Sequence, residues 1–404
     1  MYSVRGTTLW RALQRPCKVA LCIGVLALVV RAGFVLTLQE RWYFYDTVHY
    51  DAAARSLLRG EGFRYERPFF GTTAYNLEPI YPVFLAANYA LFGRRFVAVR
   101  LVQAVLGALT CVIVFFLARR LFGTKAAAVA GGVCAVYPHL VFISGLLYPE
   151  QVFTLLLAGG MWCAVQYGKT RGVPLVVAMA VCLGLAALTK GIVLAFVPVT
   201  ALWLLFWPWA KLKARLAHAT LFVGVLLVVL LPWSLRNYRA FGQLAPVRAH
   251  ATMVFDERYA QKDEPLVAQW LHGKVSTPRF VVRYLEEFVR FWTPSLGRLQ
   301  SRNEFTTRWA NVVSIVAATP VLFFALAGIW FGRSRLRELL PLLLLVLSFA
   351  CTYALFLTHV RYRIPVEPYL IVLAAFGFCS VWQRLTLVRL PCTVRRQPWV
   401  RAGS

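Results

Sequence analysis

The chain has 404 residues, of which 60% are hydrophobic and 15% charged, and its mean hydropathy is +0.64. One core cannot hide that much apolar side chain, so the composition excludes an ordinary water-soluble domain and places the chain in a bilayer. A net charge of +28 would otherwise suggest a nucleic-acid partner, but Lys and Arg sit between apolar runs rather than on one amphipathic surface, so they read as topology signals and no nucleic acid is expected.

A bilayer core about 30 Å thick asks for roughly 20 apolar residues per helix, and about ten stretches approach that length. They run near 17 to 38, 97 to 118, 126 to 144, 151 to 167, 173 to 189, 191 to 209, 216 to 233, 309 to 331, 339 to 357 and 366 to 383. The first follows a basic N-terminal region, is too long for a signal-peptide core and has no small-residue cleavage site, so it reads as an anchor that stays. Arg31 falls inside it and is expected to face other helices or reach the outer surface, a structural role before a functional one. Between the first two stretches lies a long loop, 39 to 96. It predicts a helix over Thr47 to Leu58, ended by Gly60 and Gly62, and a shorter interfacial helix over Tyr81 to Leu91. A second long loop, 234 to 308, predicts a helix over Phe280 to Trp292, started by Ser276, Thr277 and Pro278 and stopped by Pro294.

Threading these stretches from a cytoplasmic N-terminus makes every cytoplasmic segment basic, including Lys18, Arg119, Arg120, Lys125, Lys169, Lys211, Lys213, Arg333 and Arg335. Of the 16 carboxylates, only Glu338 falls on that side. The expected architecture is an all-α polytopic integral membrane protein, one membrane domain over 1 to 404, with both termini cytoplasmic and both long loops outside. Acid-base chemistry would then belong to the outer face. The nine cysteines include no CxxC pair and read as small packing residues. His49, His139, His250 and His359 lack metal-ligand spacing, so no structural metal is expected; a catalytic divalent ion stays open.

Among the outer carboxylates, Asp46 begins the first loop helix within Tyr43 Phe44 Tyr45 Asp46 Thr47. It could cap that helix by accepting backbone N–H groups. Its setting at membrane level, with His49, Tyr50 and Asp51 within one turn, equally suits a general base tuned by burial. Glu150, at the outer start of the fourth stretch, reads either as a helix-start charge or as a ligand for substrate. Lys190, Arg361 and Arg363 lie on short outer connections against the orientation rule, and Arg236 follows the seventh stretch. They either snorkel to lipid head groups or stabilise a phosphate.

The series Asp46, Tyr50, Ala53, Leu57, Gly60, Gly62, Phe63, then Pro79 Ile80 Tyr81 Pro82, Phe84 Leu85 Ala86, Leu91 Phe92 Gly93 and Arg100, resembles the first outer loop of bacterial C-type superfamily membrane glycosyltransferases. The nearest kin are family 39 enzymes, related to dolichyl-phosphate-mannose protein mannosyltransferases and lipid A aminoarabinose transferases. The likeness continues in Leu117 to Gly123, Tyr137 Pro138, Glu150, Pro232 Trp233 with Arg236 Asn237 Tyr238, and Arg361 to Pro365 with Pro368.

The resemblance implies inverting transfer of a sugar from a polyprenyl phosphate to an acceptor hydroxyl, outside a bacterial inner membrane. Asp46 matches the base. Where many relatives follow that aspartate with a glutamate, this chain has Thr47. Glu150, Tyr50, Asp51, Glu78, Lys190, Arg236, Arg361 and Arg363 form the expected substrate-binding set. No cofactor is expected, since the lipid-linked sugar is itself the donor; the other partners would be membrane lipids and a glycan, lipid or protein acceptor. The rival readings are a lipid-linked glycan flippase or transporter, a non-catalytic scaffold, and an O-antigen ligase or polymerase.

Overall fold

The structure is a computed structural model and describes residues 16–43, 47–67, 71–74, 78–206, 211–247, 266–294, 308–356, 358 and 360–388. Asp46, His250 and His359 lie outside the described residues. The first half runs α1 (Pro16–Leu36), α2 (Thr47–Leu58), strands β1 (Arg64–Arg67) and β2 (Gly71–Ala74), α3 (Ile80–Phe92), α4 (Phe96–Phe122), α5 (Thr124–Val136), α6 (Pro138–Phe142), α7 (Glu150–Thr170) and α8 (Val173–Ala187). A 3-10 turn, Gly191–Ala195, leads into α9 (Phe196–Phe206). Then follow α10 (Leu212–Phe241), α11 (Leu266–Leu271), α12 (Thr277–Trp292), α13 (Arg308–Phe331), α14 (Leu336–Ala354), α15 (Val360–Arg363) and α16 (Glu367–Val388). The two strands pair antiparallel, Arg64 opposite Ala74, an insertion in an otherwise helical molecule.

The described residues of all ten apolar stretches are mainly helical, and the three loop helices form as expected. Gly60 and Gly62, at φ of +75° and +73°, end the first-loop helix in a backbone conformation that side chains rarely adopt. Among the described residues, six helices are long and apolar enough to cross a membrane: those at Pro16–Leu36, Phe96–Phe122, Leu212–Phe241, Trp309–Phe331, Arg333–Ala354 and Val360–Thr386. The α5–α6 pair, bent by 51°, makes up to seven. By length and composition the structure therefore supports six or seven spans where the sequence count reaches about ten. α8 and the 191–206 segment are too short, and α7 interrupts its apolar run with Gln151, Thr154 and Gln166. The second loop also starts later than position 234. α10 runs on through Arg236 to Phe241 before Gly242 caps it at φ 69°, and a 30-residue helix is about 45 Å long, more than a bilayer core needs.

Because lipid is as apolar as a protein core, the inward faces are marked by small residues rather than by hydrophobicity. On α1 the buried stripe is Ala20, Ile23, Ala27, Arg31 and Val35, whereas Leu21, Val25, Leu28 and Val29 are outward. Arg31 sits in that stripe for a reason the backbone supplies. Pro138 has no N–H, so it cannot donate to the Cys134 carbonyl one helical turn back, and the bend leaves Ala135 without its helical donor as well. Arg31 donates to both carbonyls, Nη2 to Cys134 at 3.0 Å and Nη1 to Ala135 at 2.8 Å. Its side chain passes over Gly107, where a Cβ would lie 2.5 Å from Nε. Arg31 thus plugs a break in a buried helix, as the structural reading expects.

The most extensive helix pair is α13 against α16. Gly328 of α13 faces Gly377 of α16 at a crossing where backbone meets backbone: a Cβ on Gly377 would collide with the Phe324 carbonyl, and one on Gly328 with the Leu373 carbonyl. No side-chain rearrangement relieves a clash with main chain. Gly377→Ala should therefore destabilise the protein by about 1–3 kcal/mol or more. Gly33→Ala, where nothing lies within 4 Å, should be neutral or stabilising by up to about 1 kcal/mol through helix propensity. Thermal unfolding of the two variants in detergent checks the opposite signs.

Candidate functional site

Four distant segments meet around one carboxylate. Glu150 opens α7 directly after Pro149, where free backbone N–H groups favour a negative charge. It is completely buried. Its Oε1 accepts hydrogen bonds from Lys190 Nζ at 3.0 Å and Arg361 Nε at 2.6 Å. Its Oε2 is also buried and makes no hydrogen bond to any of the described residues. One oxygen of this carboxylate thus holds two cations, with the buried Glu78 carboxylate also acting on Lys190, while its other oxygen has no hydrogen bond among the described residues.

The cations are held from their other sides by aromatic faces. Arg361 lies over the Tyr148 ring at 4.2 Å and Lys190 over the Tyr362 ring at 5.3 Å, favourable placements for a cation against a π-face. Tyr362 in turn stacks on Tyr353, rings 4.5 Å apart and 3° from parallel. Burial pulls the Lys190 ammonium below its ordinary value, against the opposing pull of the Glu150 carboxylate. A further anion beside it would ease that penalty.

Each segment is pinned by its own polar network. Gln103, a lone amide in the apolar run of α4, donates from Nε2 to the carbonyls of Ser144 and Leu146 at 3.0 and 2.6 Å. It accepts the Tyr81 hydroxyl at 2.9 Å, fixing the approach to Tyr148 and Glu150. Glu78, buried, accepts the Gly191 N–H at 3.1 Å, and Ile80 N–H donates to the Leu188 carbonyl at 3.2 Å. These bonds tie the segment before α3 to Lys190. Tyr50 presents edges to Tyr81 and Tyr148, with centroids 5.2 and 6.2 Å away. Thr47 donates a longer hydrogen bond, 3.4 Å, to the Leu147 carbonyl, so α2 begins beside the segment that carries Glu150.

Of the residues singled out from the sequence, the structure gathers Glu150, Lys190, Arg361, Glu78 and Tyr50. It places three others elsewhere. Asp51 is buried with Tyr89, Arg94 and Arg55: its Oδ1 takes Tyr89 Oη at 2.8 Å and Arg94 Nε at 2.9 Å, and its Oδ2 takes Arg94 Nη2 at 3.0 Å and Arg55 Nε at 3.2 Å. Arg236 donates to the Phe63 carbonyl at 2.9 Å and covers the Trp233 ring at 4.6 Å. Arg363 joins Glu367 and His139 in a second buried cluster. Asp46, the expected base, lies outside the described residues. Sequence reading passed over Tyr148, Tyr362 and Gln103; the signal for Gln103 was an amide inside a membrane-length apolar run, which must find partners in the protein. Among the described residues, no three His, Cys, Asp or Glu side chains converge as a metal site.

Comparison with known proteins places this geometry. Residues 76–234 match the family model described as dolichyl-phosphate-mannose-protein mannosyltransferase, a stretch that includes Glu78, Glu150 and Lys190. No curated protein sequence matches significantly. Among solved structures, the Archaeoglobus fulgidus oligosaccharyltransferase AglB, in complex with an inhibitory peptide and a dolichol-phosphate, is similar at a TM-score of 0.63 with 16% identity over 95% of this chain and 52% of that one. ArnT from Cupriavidus metallidurans is similar in the apo state at 0.61, with 19% identity over 91% and 62%. Bound to undecaprenyl phosphate, ArnT scores 0.55, with 18% identity over 95% and 63%. The chain thus spans between 52% and 63% of the length of these structures. The resemblance to C-type membrane glycosyltransferases holds, and the chain has their fold.

If Glu150 holds its two cations as a unit, removing it and removing Lys190 are not independent. Glu150→Gln alone takes the shared carboxylate from two half-buried cations and should cost about 1–3 kcal/mol. Combined with Lys190→Met, the loss should be smaller than the sum, with a coupling of about 0.5–3 kcal/mol. A double-mutant cycle on unfolding in detergent measures it, and additive losses would disprove the pairing.

Proposed function

We propose that the chain is a membrane glycosyltransferase that moves a sugar from a polyprenyl-phosphate carrier to an acceptor hydroxyl. The reaction would take place at the extracytoplasmic face of a bacterial inner membrane, with both termini cytoplasmic. The observation that carries this reading is the Glu150 cluster: two half-buried cations on one oxygen of a fully buried carboxylate whose other oxygen has no hydrogen bond among the described residues. Paired cations suit a phosphate leaving group, and that oxygen suits a sugar or acceptor hydroxyl. The shared fold and the family match over 76–234 point the same way.

In the proposed step, Asp46 removes the proton of the acceptor hydroxyl as its oxygen attacks the anomeric carbon from the face opposite the phosphate. The bond from that carbon to the phosphate oxygen breaks, and its electron pair leaves with the polyprenyl phosphate. Lys190 and Arg361 stabilise the charge that builds on the leaving oxygen. Because they are already fixed by Glu150 and by the Tyr148 and Tyr362 rings, they need little reorganisation as that charge appears. Glu150 Oε2 accepts a hydroxyl of the sugar or acceptor, and Glu78 and Tyr50 shape the pocket. Asp51, Arg236 and Arg363 support the frame around it.

Radiolabelled sugar transfer from membranes preloaded with polyprenyl-phosphate sugars tests the reading. Asp46→Asn at equal abundance should lower the rate by about 10²–10⁴-fold, the usual contribution of a general base. Transfer by wild type that survives in Asp46→Asn would remove Asp46 as base. No transfer from any donor would favour a flippase or scaffold.

A further inference from the structure

The short helix α15 carries two arginines, Arg361 and Arg363. Two residues apart on a helix, they point about 200° from one another. Arg361 reaches Glu150 in the candidate site. Arg363, fully buried, turns to a second cluster outside it. Its Nε donates to Glu367 Oε1 at 3.1 Å, and its Nη1 donates to the carbonyls of Phe291 and Thr293 at 3.1 and 2.9 Å. On the other side of Glu367 lies His139, its Nδ1 at 2.9 and 3.0 Å from the two carboxylate oxygens. His139 Nε2 lies 2.9 Å from Ser314 Oγ, and that hydroxyl donates to the Pro294 carbonyl at 2.6 Å.

The Ser314 hydroxyl has one hydrogen, and a carbonyl only accepts, so that hydrogen goes to Pro294 and the Ser314 oxygen accepts from His139 Nε2–H. Glu367 Oε1 accepts from Arg363, and both Glu367 oxygens lie within hydrogen-bond distance of His139 Nδ1. Both oxygens of this carboxylate therefore have a partner, whereas Glu150 leaves Oε2 without one among the described residues.

We infer that His139, Glu367 and Arg363 are positioning residues that set Arg361 against Glu150. The inference rests on reading the Glu150 cluster as the phosphate site. The geometry supports it link by link. His139 belongs to α6, Ser314 to α13, Pro294 and the Phe291 and Thr293 carbonyls to the end of α12, and Glu367 to the start of α16. Arg363 ties all of these to α15. Glu287 Oε2 also accepts the Thr358 N–H at 3.3 Å, so α12 is joined to the residue two positions before α15 as well as to its end. With Arg363 held by three partners, α15 is oriented so that Arg361 meets Glu150 and the Tyr148 ring. Without the His139 side chain, Glu367 loses the partner that holds it opposite Arg363, and α15 loses its fixed bearing.

The test separates positioning from general support. In the full-length protein in detergent, the stability coupling between Glu150→Gln and Arg361→Gln is measured in the native background and again with His139→Gln. It should fall by more than half with His139→Gln. Gly377→Ala, which disturbs the helix crossing about 15 Å along α16 from Glu367, should leave it unchanged even where the overall loss of stability is as large. If His139→Gln does not fold, Ser314→Ala, which removes only the acceptor for Nε2, serves instead and should weaken the coupling in the same direction. In parallel, binding of undecaprenyl phosphate to the purified protein should weaken about tenfold with His139→Gln. Coupling that persists undiminished with His139→Gln or Ser314→Ala overturns the inference. Coupling that falls while the wild type binds no undecaprenyl phosphate keeps the positioning role and overturns the phosphate reading.

Discussion

The bond on which the site depends is the short contact between Arg361 Nε and Glu150 Oε1. A buried carboxylate and a buried guanidinium are each costly to remove from water, and attraction between them offsets that cost only when geometry is tight and the remaining donors and acceptors have partners. Here the offset is incomplete by design of the neighbourhood. Lys190 adds a second cation to the same oxygen, while Oε2 keeps an empty lone pair. The cluster is stable enough to assemble and unsatisfied enough to receive something. Closed ion clusters elsewhere in the chain show the contrast. Asp51 has both oxygens filled by Arg94, Arg55 and Tyr89, and Glu367 has both filled by His139 and Arg363.

The buried arginines follow one rule: they are matched to backbone carbonyls that the helices themselves cannot satisfy. Arg31 takes the two carbonyls orphaned by Pro138. Arg363 takes the last carbonyls of α12 and the one beyond it. Arg100 takes those of Gln39 and Arg41 in the turn after α1. In each case a guanidinium, which offers several donors in one plane, bridges groups that lipid could not hydrate. Breaks in helices and buried arginines therefore come as pairs in this fold, and the breaks cluster near the end of the bundle that carries Glu150.

Much of this was legible one residue at a time. The loop helix at Thr47–Leu58 could be read to its ends because its apolar spacing and its glycine stop are local features. Glu150, Lys190 and Arg361 stood out because charge at a membrane boundary demands a reason. That they share one oxygen was not legible, since Lys190 and Arg361 lie 40 and 211 positions away from Glu150, and pairing at such separations is set by helix packing. Arg363 was grouped with Arg361 because the two are neighbours in sequence; helix geometry sends them to different clusters. His139 looked inert because its hydrogen-bonding partners, Ser314 and Glu367, lie 175 and 228 positions away. The span count of about ten exceeds the six or seven described helices that pass by length and composition, for a different reason. Apolar runs of bilayer length can also end as short or bent helices, and only the backbone shows that α5 and α6 turn by 51° at Pro138.

These points converge on how a site can be rigid without a soluble domain around it. Each segment that reaches Glu150 is anchored by a polar contact of its own: Gln103 holds the approach to Tyr148, Glu78 holds Gly191, and Arg363 holds α15. None of these contacts uses the Glu150 oxygen that stays free. The cost of gathering like charges is therefore met by the folding of the bundle, before any ligand arrives, and a ligand that brings negative charge and a hydroxyl encounters cations already in place. Preorganisation of this kind is what distinguishes a site that stabilises developing charge from one that merely binds it. Tyr148 illustrates the point: its ring faces Arg361 at 4.2 Å, holding the guanidinium in place without adding a negative charge beside it.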